Sequence, residues 1–164
     1  KPDRRQRQMC IRDSSSTDDC SESDLSSCQQ SVLDLTNEAR GSDQDCGDEG
    51  TFDAADDLTL DDDLSEAAQT HAEDLAANEF LSHTGSDGSS VSERVLAVGY
   101  SFVLVGENAA FGQDTMEEVV DGWMDSDGHC ANIMNSSFTE FGLGFAESDD
   151  GVNYWVQVFA LPTN

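Results

Sequence analysis

The sequence predicts an α+β domain, a small antiparallel sheet held between helical layers in a three-layer α-β-α sandwich. Three observations carry that expectation. Apolar residues recur at helical spacing, most plainly Leu64, Ala67, Ala68, His71 and Leu75. Two β-rich runs, FTEFGLGFAES (138–148) and NYWVQVFALP (153–162), meet at an SDDG turn and read as an antiparallel hairpin. Helices and strands do not alternate strictly, which argues against a parallel doubly wound sheet and leaves a sheet with helices on both faces.

The first residues differ from all that follow. Five of the chain's seven basic residues, Lys1, Arg4, Arg5, Arg7 and Arg12, stand there. The stretch MCIRDS resembles the translation of a transposon-end adapter, so residues 1–13 are expected to be a non-native scar outside the fold. The alternative is a basic arm that binds nucleic acid. The segment has neither a starting Met nor an apolar core, so it is not read as a signal peptide. Residues 14–26 are serine and acid, too polar to offset the entropy of ordering, and are expected to form a disordered tether. The folded domain is expected over 27–164.

Within it, Ser27 and Gln30 resemble a capping box for a helix whose Val32, Leu35 and Ala39 share a face and which stops at Gly41. Residues 41–60 read as an acidic loop. It lacks the D-x-D-x-D-G order of a calcium loop, although weak cation binding stays open. The clearest helix spans 61–80, with Asp61, Asp62 and Asp63 favourably placed at its N-terminal dipole. His71 lies on its apolar face and is expected to be a buried, hydrogen-bonded histidine.

A polar loop, FLSHTGSDG (80–88), follows. Ser90 and Glu93 cap a short helix ended by Gly99, and 101–112 reads as a strand interrupted at Gly106. Thr115 and Glu118 cap a helix whose Met116, Val119, Val120 and Trp123 form a core stripe. DGHCANIMN (127–135) starts a further short helix.

The formal charge is −28, with no lysine after Lys1 and only Arg40 and Arg94 as cations beyond Asp13. Such a surface repels nucleic acid and anionic head groups. It suits salty water, where screening reduces self-repulsion, and it could also attract cations. No apolar run is long enough for a transmembrane helix. With Cys10 set aside, Cys20, Cys28, Cys46 and Cys130 allow three pairings and point to an oxidising compartment. The absence of CxxC argues against a zinc ribbon.

Three segments carry candidate chemistry: His83 in FLSHTG, Glu107 in VGENAA and His129 in DGHCANIM. Two neutral imidazoles and a carboxylate can bind a divalent metal with an open position, or move protons. There is no H-E-x-x-H, no G-x-S-x-G and no phosphate-cradling glycine loop.

In order, HAEDLAANEFLSHTGSDGSS, GYSFVLVGENAAFG, EEVVDGWMDSDGHCANIMN, FTEFGLGFA and YWVQVFALP resemble bacterial members of the CAP superfamily, which covers cysteine-rich secretory, antigen 5 and pathogenesis-related 1 proteins. The likeness runs from about Ser31 to Pro162. It implies an α-β-α sandwich in a secreted or cell-surface protein, with a cavity lined by two histidines and two acids. The histidines match His83 and His129, and the first acid matches Glu107. The second acid falls at Ser126, beside Asp125, so either Asp125 substitutes or the site is a triad.

In relatives the histidine pair can hold zinc or another divalent ion, which makes His83, His129 and Glu107 metal candidates here. Beside this resemblance, Cys130 follows His129 and is expected to pair with Cys46, with two buried free thiols as the alternative; Cys20 and Cys28 are a weaker expected pair. Two functions are open. One is a monomeric binding module for a small apolar or lipid-like ligand, a glycan or a protein, with no nucleic-acid partner. The other is a metal-assisted hydrolase in which Glu107 is the base. Binding is preferred, because no nucleophile is visible and the second acid is missing.

Overall fold

The computed structural model describes residues 19–164. The expected scar, residues 1–13, and the first part of the expected tether lie outside the described residues. The remainder of that tether is not a free chain. Glu22–Asp24 form a 3-10 turn, Cys20 is bonded to Cys28, and the first helix, α1 (Leu25–Arg40), begins before Ser27. Ser27 therefore lies inside the first turn, and the expected Ser27–Gln30 capping box is replaced by Asp24 at the N-cap. A covalent link to α1 lowers the entropy that a serine-rich segment loses on ordering, which composition alone does not reveal.

The acidic stretch after α1 contains three two-residue strands, β1 (Gln44–Asp45), β2 (Thr51–Phe52) and β3 (Thr59–Leu60). β1 and β2 pair with each other. β3 joins the main sheet parallel to β5 (Glu140–Glu147), a departure from the purely antiparallel expectation. Two residues carry too little pattern to be read as a strand. β5 pairs antiparallel with β6 (Asn153–Pro162), and β6 with β4 (Phe102–Phe111), giving the order β3-β5-β6-β4. The expected break at Gly106 is absent, and Gly106 pairs with Phe159 within a continuous strand. The glycine makes room for a ring instead: a Cβ there would lie 2.9 Å from Phe138 Cζ.

Side chains of β6 sort to two faces with the period of a strand. Tyr154, Val156, Val158 and Ala160 pack with Leu64, Ala68 and Leu75 of α2 (Asp62–Asn78), and with Val95 of α3 (Val91–Ala97). Trp155 and Phe159 pack the other way, with Val32 of α1, Val119 and Trp123 of α4 (Met116–Asp125), and Ile133 of α5 (Asp127–Met134). The molecule is thus an α-β-α sandwich with two apolar cores, one on each face of the sheet.

The α2 layer lies unusually close to the sheet. A Cβ on Gly142 would collide with the backbone at Leu64 and Ser65, and one on Gly144 with that at Ala68 and Gln69. Phe141, Leu143 and Phe145, the alternate residues of β5, fill the opposite core. The caps follow the sequence. Asp61 accepts from Leu64 N–H, Ser90 and Glu93 form a reciprocal capping box, and Thr115 accepts from Glu118 N–H.

Candidate functional site

β4 is the edge strand of the sheet, so the two helical layers can approach one another beyond it. Adjacent residues on β4 serve the two sides. Glu107 pairs with Val158, whose side chain belongs to the α2 core, while Asn108 pairs with Gln157 and hydrogen-bonds its side chain.

The Glu107 side chain is 2% exposed and surrounded by cations and donors. Its Oε1 accepts from His83 Nδ1 at 2.9 Å, and its Oε2 accepts from Arg94 Nη2 at 2.8 Å. His71 Nε2 lies 3.7 Å from the same Oε1. The Arg94 side chain is 7% exposed and also donates to the carbonyls of Ser89 and His83. It therefore neutralises Glu107 and ties down the loop that carries His83. His71, fully buried in α2, donates from Nε2 to Ser82 O at 2.7 Å and holds the same loop from beneath. Asp74 fixes its far end by accepting from Ser86 N–H and Oγ–H.

His129 approaches from α5. Its carbonyl accepts from Asn108 Nδ2, and Asn132 bridges Glu107 O and Asn108 Oδ1. The Cys46–Cys130 disulfide is present beside it, and Asp127 accepts from Asp48 N–H, so the acidic loop is tied to the start of α5. Gly47 adopts φ 62° against Asp127, where a Cβ would strike the carboxylate.

The two imidazoles are tuned in opposite directions. The hydrogen bond to Glu107 raises the His83 pKa above its ordinary value, against a smaller burial effect. Burial lowers that of His129, and the His83 charge lowers it further. Burial also keeps His71 low. The His83 ring is 62% exposed, so with Nδ1 tied to Glu107 the ring meets solvent.

The arrangement brings His83 and Glu107 into direct contact, and the His129 carbonyl is held by Asn108, the next residue of β4. Asp125 ends α4 as an exposed residue, and Ser126 caps both α4 and α5. Sequence reasoning missed Arg94 as part of the site and assigned His71 only to the core. A signal existed for Arg94: it is one of two cations beyond Asp13 in a strongly acidic chain.

Both oxygens of Glu107 are engaged, one by His83 and the other by the Arg94 guanidinium, and among the described residues no group of three His, Cys, Asp or Glu side chains is arranged to hold a metal ion. The donor set does not close a resident metal site. Among the described residues, no helix is long and apolar enough to cross a membrane.

The model of the CAP family, the cysteine-rich secretory protein family, matches residues 33–159. An uncharacterized protein of Bacillus subtilis, YkwD, is 37% identical over 102 residues, covering 62% of this chain and 38% of that protein. The structure of an extracellular protein containing an SCP domain from Bacillus anthracis superposes with a TM-score of 0.67 at 25% identity, over 83% of this chain and 41% of that one. NaASP2, crystallised with Zn2+, superposes with a TM-score of 0.55 at 14% identity, over 84% and 83% of the two chains. The chain thus spans well under half the length of YkwD and of the Bacillus anthracis protein.

Proposed function

The chain belongs to the cysteine-rich secretory protein (CAP) family, and from that premise we propose that it is a secreted or surface-exposed binding module whose His83–Glu107–His129 site receives a polar ligand. The observation that carries this reading is the state of Glu107. The carboxylate is almost wholly buried, and one oxygen holds His83 while the other holds Arg94, a setting that favours an anchoring role over that of a base. The carboxylate acts as a buried anchor that fixes an imidazole with its ring toward solvent. His83, whose pKa the Glu107 hydrogen bond raises, favours donating, and His129, whose pKa burial lowers, favours accepting, so the two offer a donor and an acceptor to an incoming ligand. The formal charge of −28 repels polyanions, so a neutral or basic glycan or peptide is favoured over an anionic ligand. Two disulfides and the extracellular relative support export to an oxidising compartment.

Zinc at this site would meet two imidazoles, and further donors would have to come from the ligand. Zinc added alone is therefore expected to be lost on dialysis. Retention that survives His83→Ala with His129→Ala would report the acidic surface instead.

One observation favours the hydrolase alternative: two histidines displaced in opposite directions resemble an acid–base pair. Isothermal titration of neutral oligosaccharides and basic peptides against the wild type and the His83→Ala/His129→Ala variant separates the readings. Binding without turnover, lost in the variant, supports the module. Turnover lost in the variant overturns it.

A further inference from the structure

Gln157 breaks the pattern of its strand. On β6 it stands between Trp155 and Phe159, on the face that packs against α1, and all three are wholly buried. Stability alone asks for an apolar side chain there, because a buried amide gains only through the hydrogen bonds it makes. Gln157 makes two, and each continues into another. Its Nε2 donates to Thr36 Oγ1 of α1 at 3.0 Å, and Thr36 Oγ1 donates to Val32 O at 2.7 Å. Its Oε1 accepts from Asn108 Nδ2 of β4 at 3.1 Å. Thr36 and Asn108 are wholly buried as well.

This chain of bonds ends at the site. Asn108 Nδ2 also donates to His129 O at 3.2 Å, and Asn108 Oδ1 accepts from Asn132 Nδ2, which reaches Glu107 O too. The direction of every bond is fixed, because the carbonyls of Val32, Glu107 and His129 can only accept. Thr36, donating to Val32 O, must receive from Gln157. Turning Asn108 over would set its oxygen against His129 O and Gln157 Oε1. A buried network matched in this way holds its members in a single arrangement. The other ties on α5 run elsewhere: the Cys46–Cys130 disulfide joins it to the acidic loop, and Arg40 holds its last turn at Ile133 O and Asn135 O. Asn108 and Asn132 join it to β4.

We infer that Gln157 and Thr36 are positioning residues for His129, fixing the first turn of α5 over β4 through Asn108. Both act at one remove, since Asn108 is the member that bonds to His129. That a displaced imidazole weakens ligand binding rests on the function proposed above. The placement of His129 does not, and it is read without a ligand.

Gln157→Met keeps the length of the side chain and removes both bonds, leaving an Asn108 N–H unpaired. Thr36→Val keeps the shape of the side chain and removes its hydroxyl, whereas Thr36→Ser retains the hydroxyl. Imidazole NMR and amide hydrogen exchange on the full chain read the result. In Gln157→Met the His129 ring resonances are expected to move and exchange at Cys130 and Ile133 to quicken about tenfold, while the His83 ring resonances stay in place. Thr36→Val should show the same change more weakly, and Thr36→Ser should match the wild type. If Gln157→Met does not fold, the Thr36 pair decides. A lowered thermal midpoint with the His129 ring and α5 exchange unmoved would overturn the inference. So would equal displacement of the His83 and His129 rings, or a Thr36→Ser variant that loses as much as Thr36→Val. Neutral-oligosaccharide or basic-peptide affinity that is unchanged when the His129 ring has moved would count against the proposed function and leave this inference standing.

Discussion

Glu107 is a carboxylate taken out of water and balanced by Arg94 on one oxygen and His83 on the other. Removing one partner of a buried ion pair leaves the other charged and unsolvated, which typically costs about 3–5 kcal/mol. Arg94→Met is expected to destabilise the fold by about that amount, measured by urea denaturation. Glu107→Gln should drop the His83 pKa toward its ordinary value, followed by imidazole NMR. The linkage to stability has a sign for each ring. The raised pKa of His83 contributes stability that is present below its unfolded value of 6.5 and is lost as pH rises through the folded value. The lowered values of His71 and His129 cost stability as pH falls below 6.5, because the unfolded chain takes up protons that the folded one refuses. Denaturation midpoints across pH 5–8 should show the acid-side loss relieved by His129→Gln. At this scale the sequence displayed His83, Glu107 and His129 at the borders of elements. Arg94 stood out only as one of two cations beyond Asp13, and a single cation within a helix carries no spacing signature that would give it a role. The sequence half-showed His71, since periodicity assigns burial without naming the groups met there.

α2 and β5 show what an element's pattern does and does not contain. The apolar stripe of α2 and the alternation of β5 and β6 were legible, because each follows the period of its own backbone. The depth at which α2 sits is encoded in Gly142 and Gly144, where the side chains facing α2 are absent altogether. Gly144→Ala forces a Cβ against the helix backbone and is expected to cost about 1–3 kcal/mol, with thermal unfolding as the readout. The short strands β1, β2 and β3 escaped notice because a two-residue strand shows no alternation, and their sites were read as loop. The start of α1 was read too late for a different reason. The Cys20–Cys28 bond holds a segment whose composition alone argues for disorder. The second bond joins residues 84 apart, and in the chain-entropy model a loop of this length stabilises by about 4.5 kcal/mol. Cys46→Ser with Cys130→Ser should lower the denaturation midpoint accordingly, and should loosen the acidic loop in hydrogen exchange before any other part of the molecule.

Over the whole molecule, the layer order was readable from the succession of helices and strands, whereas the convergence at the β4 edge was not. His83 and His129 are 46 positions apart and belong to opposite layers of the sandwich, so only the closure of the fold brings them together. The net charge of −28 acts over the same distances. Self-repulsion on this scale is relieved by screening, so the thermal midpoint should rise between low salt and about 1 M sodium chloride, where the screening length falls to about 3 Å. The central claim is that the two imidazoles share one electrostatic site, which moves their pKa values in opposite directions. Imidazole NMR titration of the wild type and of His83→Ala tests this most directly. The account predicts His83 titrating above 6.5, His129 below it, and an upward shift of His129 once the neighbouring charge is removed. A His129 titration indifferent to His83→Ala, or both rings titrating together at 6.5, would contradict it.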